Sequence, residues 1–103
     1  KVLRVRALTL DGLVTSGELP PPQVMKCDIE GGEYDALRGA ADILAIHAPA
    51  IFLATHGTEV HEQCCSLLKD LHYHLTPIDG LPLSKTSEIL ATARDNSPAR
   101  PEW

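Results

Sequence analysis

The sequence predicts an α/β domain in which strands alternate with helices and two final strands close the sheet as an antiparallel pair. Two observations carry this. Residues 24–29 and 50–54 are short apolar runs, each followed by a stretch with apolar residues at helical spacing. Residues 73–78 and 88–93 are two further strand-like runs, separated only by a turn segment containing Asp79-Gly80 and Pro82. Strands joined through helices pair in parallel by right-handed crossovers. The last two strands lack that helix, so they are expected to pair antiparallel at one edge of the sheet.

The elements follow in order. Leu3, Val5 and Ala7 alternate with Arg4 and Arg6, the pattern of a half-buried strand. Asp11-Gly12 suits a primed hairpin turn, but a short helix capped by Thr9 and running through Leu13 and Val14 is favoured. Pro20, Pro21 and Pro22 stop any helix and deliver the chain into the strand at 24–29. That strand is mostly apolar, as a buried parallel strand is. After Gly31-Gly32, residues Tyr34, Leu37, Ala41 and Leu44 form one helical face, and Pro49 ends it. Following the strand at 50–54, Thr58 is expected to cap a helix that buries Val60, Cys64, Leu67, Leu68 and Leu71. Residues 1–93 then form one domain, and 94–103, with Pro98 and Pro101, a loose tail.

At 103 residues the chain is one domain at most, and a small one with little stability to spare. Hydrophobic residues at 44% and charged residues at 22% are ordinary for a globular protein. The formal charge of -5 argues against nucleic acid, whose binders present a basic face. An odd cysteine count, Cys27, Cys64 and Cys65, does not read as a disulfide framework. It points to reduced thiols and a cytoplasmic setting. No apolar run is long enough to span a bilayer.

The segment Lys26-Cys27-Asp28-Ile29-Glu30-Gly31-Gly32-Glu33 is the most specific feature of the sequence. It resembles the K-I-D-V-E-G-A-E signature of FkbM-type methyltransferases. Leu37-Arg38-Gly39-Ala40 matches the helix that follows in that family, and Thr9-Leu10-Asp11 resembles its T-L-D segment. Pro49, the strand leading to His56, and Leu71-His72-Tyr73 fall where the family has a proline, a strand ending in histidine, and L-G-Y. The resemblance implies a three-layer, Rossmann-like class I methyltransferase sheet, here partial. It also implies S-adenosylmethionine as cofactor of the parent enzyme and O-methylation of a small molecule or sugar. Two residues depart from the pattern. Ala54 stands where the family has an acid, and Gly32 stands where it has alanine.

Spacing alone gives the site a physical meaning. Ligands of open parallel sheets bind beyond the carboxyl ends of the strands. Asp28 and Glu30 follow one strand and His56 follows the next, so they are expected to meet at one rim. Asp28 and His56 are the candidate catalytic residues, with His56 about even between a substrate contact or general base and a plain strand-end residue. Glu30, Gly31, Gly32 and Glu33 form the candidate rim, with the glycine amides placed to approach a ligand. The plainer reading is that acids before a helix act as caps, and Glu33 stands about even between the two. Lys26, in an apolar strand, is expected to pair with a carboxylate. His61, His72 and His74 read as surface or edge residues. A metal site from Asp28, Glu30, His56 and His61 is not expected, because the two histidines are not at one-face spacing. Only one of Cys64 and Cys65 is expected to pack inward, with no catalytic thiol.

None of the glycines forms a G-x-G-x-G loop after a strand. The resemblance places such a loop upstream, which makes this chain the carboxyl-terminal half of a domain that binds the cofactor weakly or not at all by itself. The competing reading is a stand-alone, non-catalytic interaction module. In either case the strand at 24–29 is expected to present an open edge. Such edges recruit other chains, which implies a homodimer or coverage by residues 1–10.

Overall fold

A computed structural model describes residues 10–93. The strand expected over residues 3–7, the Thr9 cap and the tail at 94–103 lie outside them. Helix α1 (Leu10–Thr15) is followed by β1 (Val24–Cys27), α2 (Glu33–Arg38), α3 (Ala41–Ile46), β2 (Ala50–Ala54), α4 (Thr58–Asp70), β3 (Tyr73–Pro77) and β4 (Glu88–Ala93). At Asp11-Gly12 the chain takes the helix and not the hairpin.

The four strands form one mixed sheet in the order β1-β2-β4-β3. β1 and β2 are parallel, with Val24 opposite Ala50 and Cys27 opposite Leu53. β4 is antiparallel to both β2 and β3. The expected antiparallel pair exists and occupies one edge, but in an order the sequence did not indicate. The crossover through α4 leaves a one-strand gap between β2 and β3, and β4 turns back into it. β4 thereby satisfies the backbone groups of both neighbours, whereas an outer β4 would have satisfied one side only.

Alternation along the strands decides which side chains reach the core. Ile51 and Leu53 of β2, Cys27 of β1, Ile89 and Ala91 of β4, and Tyr73 of β3 are buried. They pack against Leu37 of α2, Ala40, Leu44 of α3, and Cys64, Cys65 and Leu68 of α4. Their neighbours on the opposite face, Lys26 and Phe52, are exposed. The described residues thus form two layers, helices on one face of a sheet; the third layer of the expected architecture is not among them. The Tyr73 hydroxyl donates to the buried Pro49 carbonyl at 2.7 Å, and burial pushes its pKa up to about 12.

The single helical face expected from Tyr34 to Leu44 is broken in two. α2 ends at Gly39, a poor helix former, and α3 starts afresh at Ala41. Ala40 has no side chain able to cap α3. Asp11 does it from outside, its carboxylate accepting the Asp42 and Ile43 amides, each at 3.0 Å. Ala40 and Ile43 accordingly join Leu37 and Leu44 as buried positions, while Tyr34 and Ala41 are only partly buried.

α4 also differs from expectation. Its N-cap is Gly57, at φ 111, and no side chain caps it, so Thr58 is simply the first helical residue. Its buried face is His61, Cys64, Cys65 and Leu68, with Val60, Leu67 and Leu71 flanking the core.

Candidate functional site

The rim formed by the carboxyl ends of β1 and β2 is shaped by the turn after β1. Glu30 (φ 49) and Gly31 (φ 104) both have left-handed backbone. This curls residues 29–32 over the first residue of α2, Glu33, whose side chain is fully buried. No cation faces it. Instead one carboxylate oxygen accepts the Ile29 amide at 2.7 Å and both accept the Gly31 amide. From just beyond β2, the His56 amide donates to the other oxygen at 3.2 Å. The ring Nδ1 of His56 also lies 3.2 Å from the carboxylate. A buried charge is tolerated only when hydrogen-bonded in this way. Burial pushes the Glu33 pKa up, but the Ile29 and Gly31 amides and the His56 ring and amide together hold it below its ordinary value. Glu33 therefore ties the ends of the two parallel strands together as a carboxylate.

On the open side of the same ring, His56 Nε2 lies 3.4 Å from Asp28 Oδ1, and both side chains are nearly half exposed. The structure thus brings Asp28 and His56 together, with Glu33 beneath them. Glu30 is exposed and makes no hydrogen bond or ion pair with the other described residues. The glycine amides are engaged within the turn. That of Gly31 is held by Glu33 and that of Gly32 by the Ile29 carbonyl at 3.3 Å. The turn uses both amides for its own closure.

Beside this cluster, Asp28 shares a cavity of about 410 Å³ with Lys26, Phe52, Leu53, Ala54, Ile78 and Glu88. Lys26 is exposed and, among the described residues, forms no ion pair, contrary to expectation. Phe52 and Ile78 are exposed apolar surface in this cavity. Glu88, absent from the sequence candidates, stands directly opposite Ala54 across the β2–β4 pairing.

The other histidine of this region is structural. His61, expected at the surface, is buried. Its Nε2–H donates to the Leu83 carbonyl at 2.7 Å. Nδ1 then accepts the Thr55 hydroxyl at 2.8 Å. Its ring therefore does not join Asp28, Glu30 and His56. Among the described residues no group of three or more His, Cys, Asp or Glu side chains is placed to hold a metal ion. Cys65 lies 3.6 Å from His61 Nε2, but that nitrogen already carries a proton and cannot take the thiol's. Burial also raises the Cys65 pKa, an effect that nearby Lys69 only partly offsets. Both Cys64 and Cys65 are buried, not one of the two.

The methyltransferase FkbM domain model matches residues 1–91. The chain belongs to the FkbM methyltransferase family. The chain is also similar to the hexuronic acid methyltransferase AglP of Haloferax volcanii, 40% identical over 42 residues. That segment is 41% of this chain and 18% of the relative, so the chain spans only part of that protein's length. No solved structure matches the chain. Membership of the FkbM family implies a methyl donor, and the residues present test that implication. The rim offers an imidazole between two carboxylates, a set suited to moving a proton. The amides that would cradle a cofactor's carboxylate are used within the turn. Among the described residues, the Ile29, Gly31 and Gly32 amides are already engaged within the turn and offer no cradle for a further group. Among the described residues, no helix is long and apolar enough to cross a membrane.

Proposed function

We propose that this chain is the carboxyl-terminal, acceptor-side half of a class I, S-adenosylmethionine-dependent O-methyltransferase acting on a sugar or similar polyol. The observation that carries the reading is the placement of His56 between buried Glu33 and exposed Asp28 at the carboxyl ends of two parallel strands. An oxygen acceptor must lose its proton as it is methylated, and an imidazole within reach is a suitable base. Asp28 is then positioned to accept a hydrogen bond from the imidazolium. In this reading the methyl group comes from S-adenosylmethionine held by other parts of the polypeptide.

The cavity supports a sugar acceptor. Phe52 and Ile78 give an apolar wall for the C–H face of a pyranose, while Asp28, Glu88 and Lys26 supply polar groups for its hydroxyls. Similarity to an enzyme named for hexuronic acid agrees with that class. The test is transfer of labelled methyl from S-adenosylmethionine by the natural polypeptide that contains these residues, with neutral sugars and hexuronic acids as acceptors. The reading expects labelled sugar, and large losses in Asp28→Asn and His56→Ala. Undiminished transfer in those variants would sink the assigned roles.

The alternative, a non-catalytic module, is favoured by Ala54 at the place of the family's acid. Glu88, across from Ala54, weakens that objection because it returns a carboxylate to the same cavity.

A further inference from the structure

We infer that Glu33 is a positioning residue that fixes His56 in its Nδ1–H tautomer and so leaves Nε2 as the nitrogen that takes the acceptor's proton. The inference rests on the methyl-transfer reading for its purpose, but its geometry stands without it. A carboxylate only accepts hydrogen bonds. The ring nitrogen 3.2 Å from Glu33 Oε2 must therefore carry a proton, since a bare lone pair there would face negative charge. The same carboxyl group also accepts the His56 backbone amide. Main chain and ring are thus held against one buried group, and the ring cannot turn over without losing a charge-assisted bond.

With Nδ1 protonated, a neutral ring has its only lone pair at Nε2, on the exposed side beside Asp28. Nε2 and Asp28 Oδ1, 3.4 Å apart, are then both acceptors, and the pair lacks a donor. An acceptor hydroxyl supplies it. As the O–H bond breaks, the proton passes to Nε2 and the electron pair remains on oxygen for the new bond to carbon. The electrons of the bond broken at the methyl carbon stay with the sulfur of the sulfonium donor. The new Nε2–H then points at Asp28, so one carboxylate sets the tautomer before transfer and the other steadies the imidazolium after it. Neutral Gln at position 33 could donate to Nδ1 as readily as accept from it, and the tautomer would no longer be set.

The experiment is long-range proton–nitrogen NMR of the histidine-labelled 103-residue chain under conditions where the ring is neutral, since the two neutral tautomers give different nitrogen shifts. The expected result is an Nδ1–H ring in the wild type and a shift toward Nε2–H in Glu33→Gln. An Nε2–H ring in the wild type overturns the inference, and that spectrum decides it even if the variant does not fold. In the natural polypeptide, Glu33→Gln should lower kcat by about 10²-fold with little change in KM. If the tautomer is Nδ1–H and no methyl transfer is found, the functional reading fails and the clamp stands.

Discussion

Replacing Asp11 tests the contact that divides the long helix expected after β1. Its carboxylate accepts the Asp42 and Ile43 amides, both at 3.0 Å, at the start of α3. Hydrogen bonds to charged acceptors contribute about 1.5–3 kcal/mol in general, and loss of an N-cap costs about 0.5–2 kcal/mol. The Asp42 bond is exposed and water can replace it, whereas the Ile43 bond is partly buried. The lower range therefore applies, at about 1.5 kcal/mol for Asp11→Ala and about 0.5 kcal/mol for Asp11→Asn, which keeps one acceptor. In a domain of this size that is a fall in Tm of about 6–12 °C and about 2–4 °C respectively. Urea and thermal unfolding measure the totals. Amide exchange locates the effect, with Asp42 and Ile43 losing protection first. If both variants lie within about 0.3 kcal/mol of the wild type, or exchange quickens elsewhere and not at these amides, the argument for a tertiary cap is wrong.

Four further outcomes are expected. Glu33 has a folded pKa below its unfolded value of 4.5, so its stabilisation is complete above that pH and is lost as pH falls through the folded value. Glu33→Gln should flatten the acid limb of stability against pH, and an unchanged limb would contradict the burial argument. Burial first, then nearby negative charge, pushes Cys27 to about 11 and Cys64 to about 12, and Cys65 is also raised. At pH 8 all three thiols should alkylate far more slowly in the native chain than in urea, and rapid native labelling of any one refutes this. Gly31→Ala, at φ +104, should cost about 1–3 kcal/mol. Gly32→Ala, where the added Cβ would stand 3.5 Å from Ile29 Cγ2, should cost less than about 1 kcal/mol; equal effects in urea unfolding would refute the turn assignment. Among the described residues β1 pairs only with β2; two copies joining along its other edge should sediment as a dimer at micromolar concentration, and a monomer would count against that pairing.

Local pattern determined the strands and the rim. β2 and β4 were legible because strand side chains alternate, so an apolar run between turn residues can bury one face only against a partner layer. The meeting of Asp28 and His56 was legible too. Parallel strands place their carboxyl ends on the same side, and Asp28 and His56 follow theirs within two residues. The α/β class came from the same regularity, helices recurring between strands.

Tertiary structure decided everything that needed a partner distant in sequence. The break between α2 and α3 depends on a carboxylate from α1. The insertion of β4 between β2 and β3 depends on which strand edges remain unpaired once the crossovers have formed. His61 is buried because Thr55 and the Leu83 carbonyl satisfy both ring nitrogens, and nothing in the pattern of α4 announces either. Glu33 is the sharpest case. By sequence it is an acid in the first turn of a helix, about even between a rim residue and a cap. It becomes the buried tie between β1 and β2 only because a left-handed turn at Glu30-Gly31 and the end of β2 aim amides and an imidazole at one carboxyl group. Periodicity states which way a side chain points, but a buried polar group persists only where complete three-dimensional partners meet it, and those are assembled by the fold.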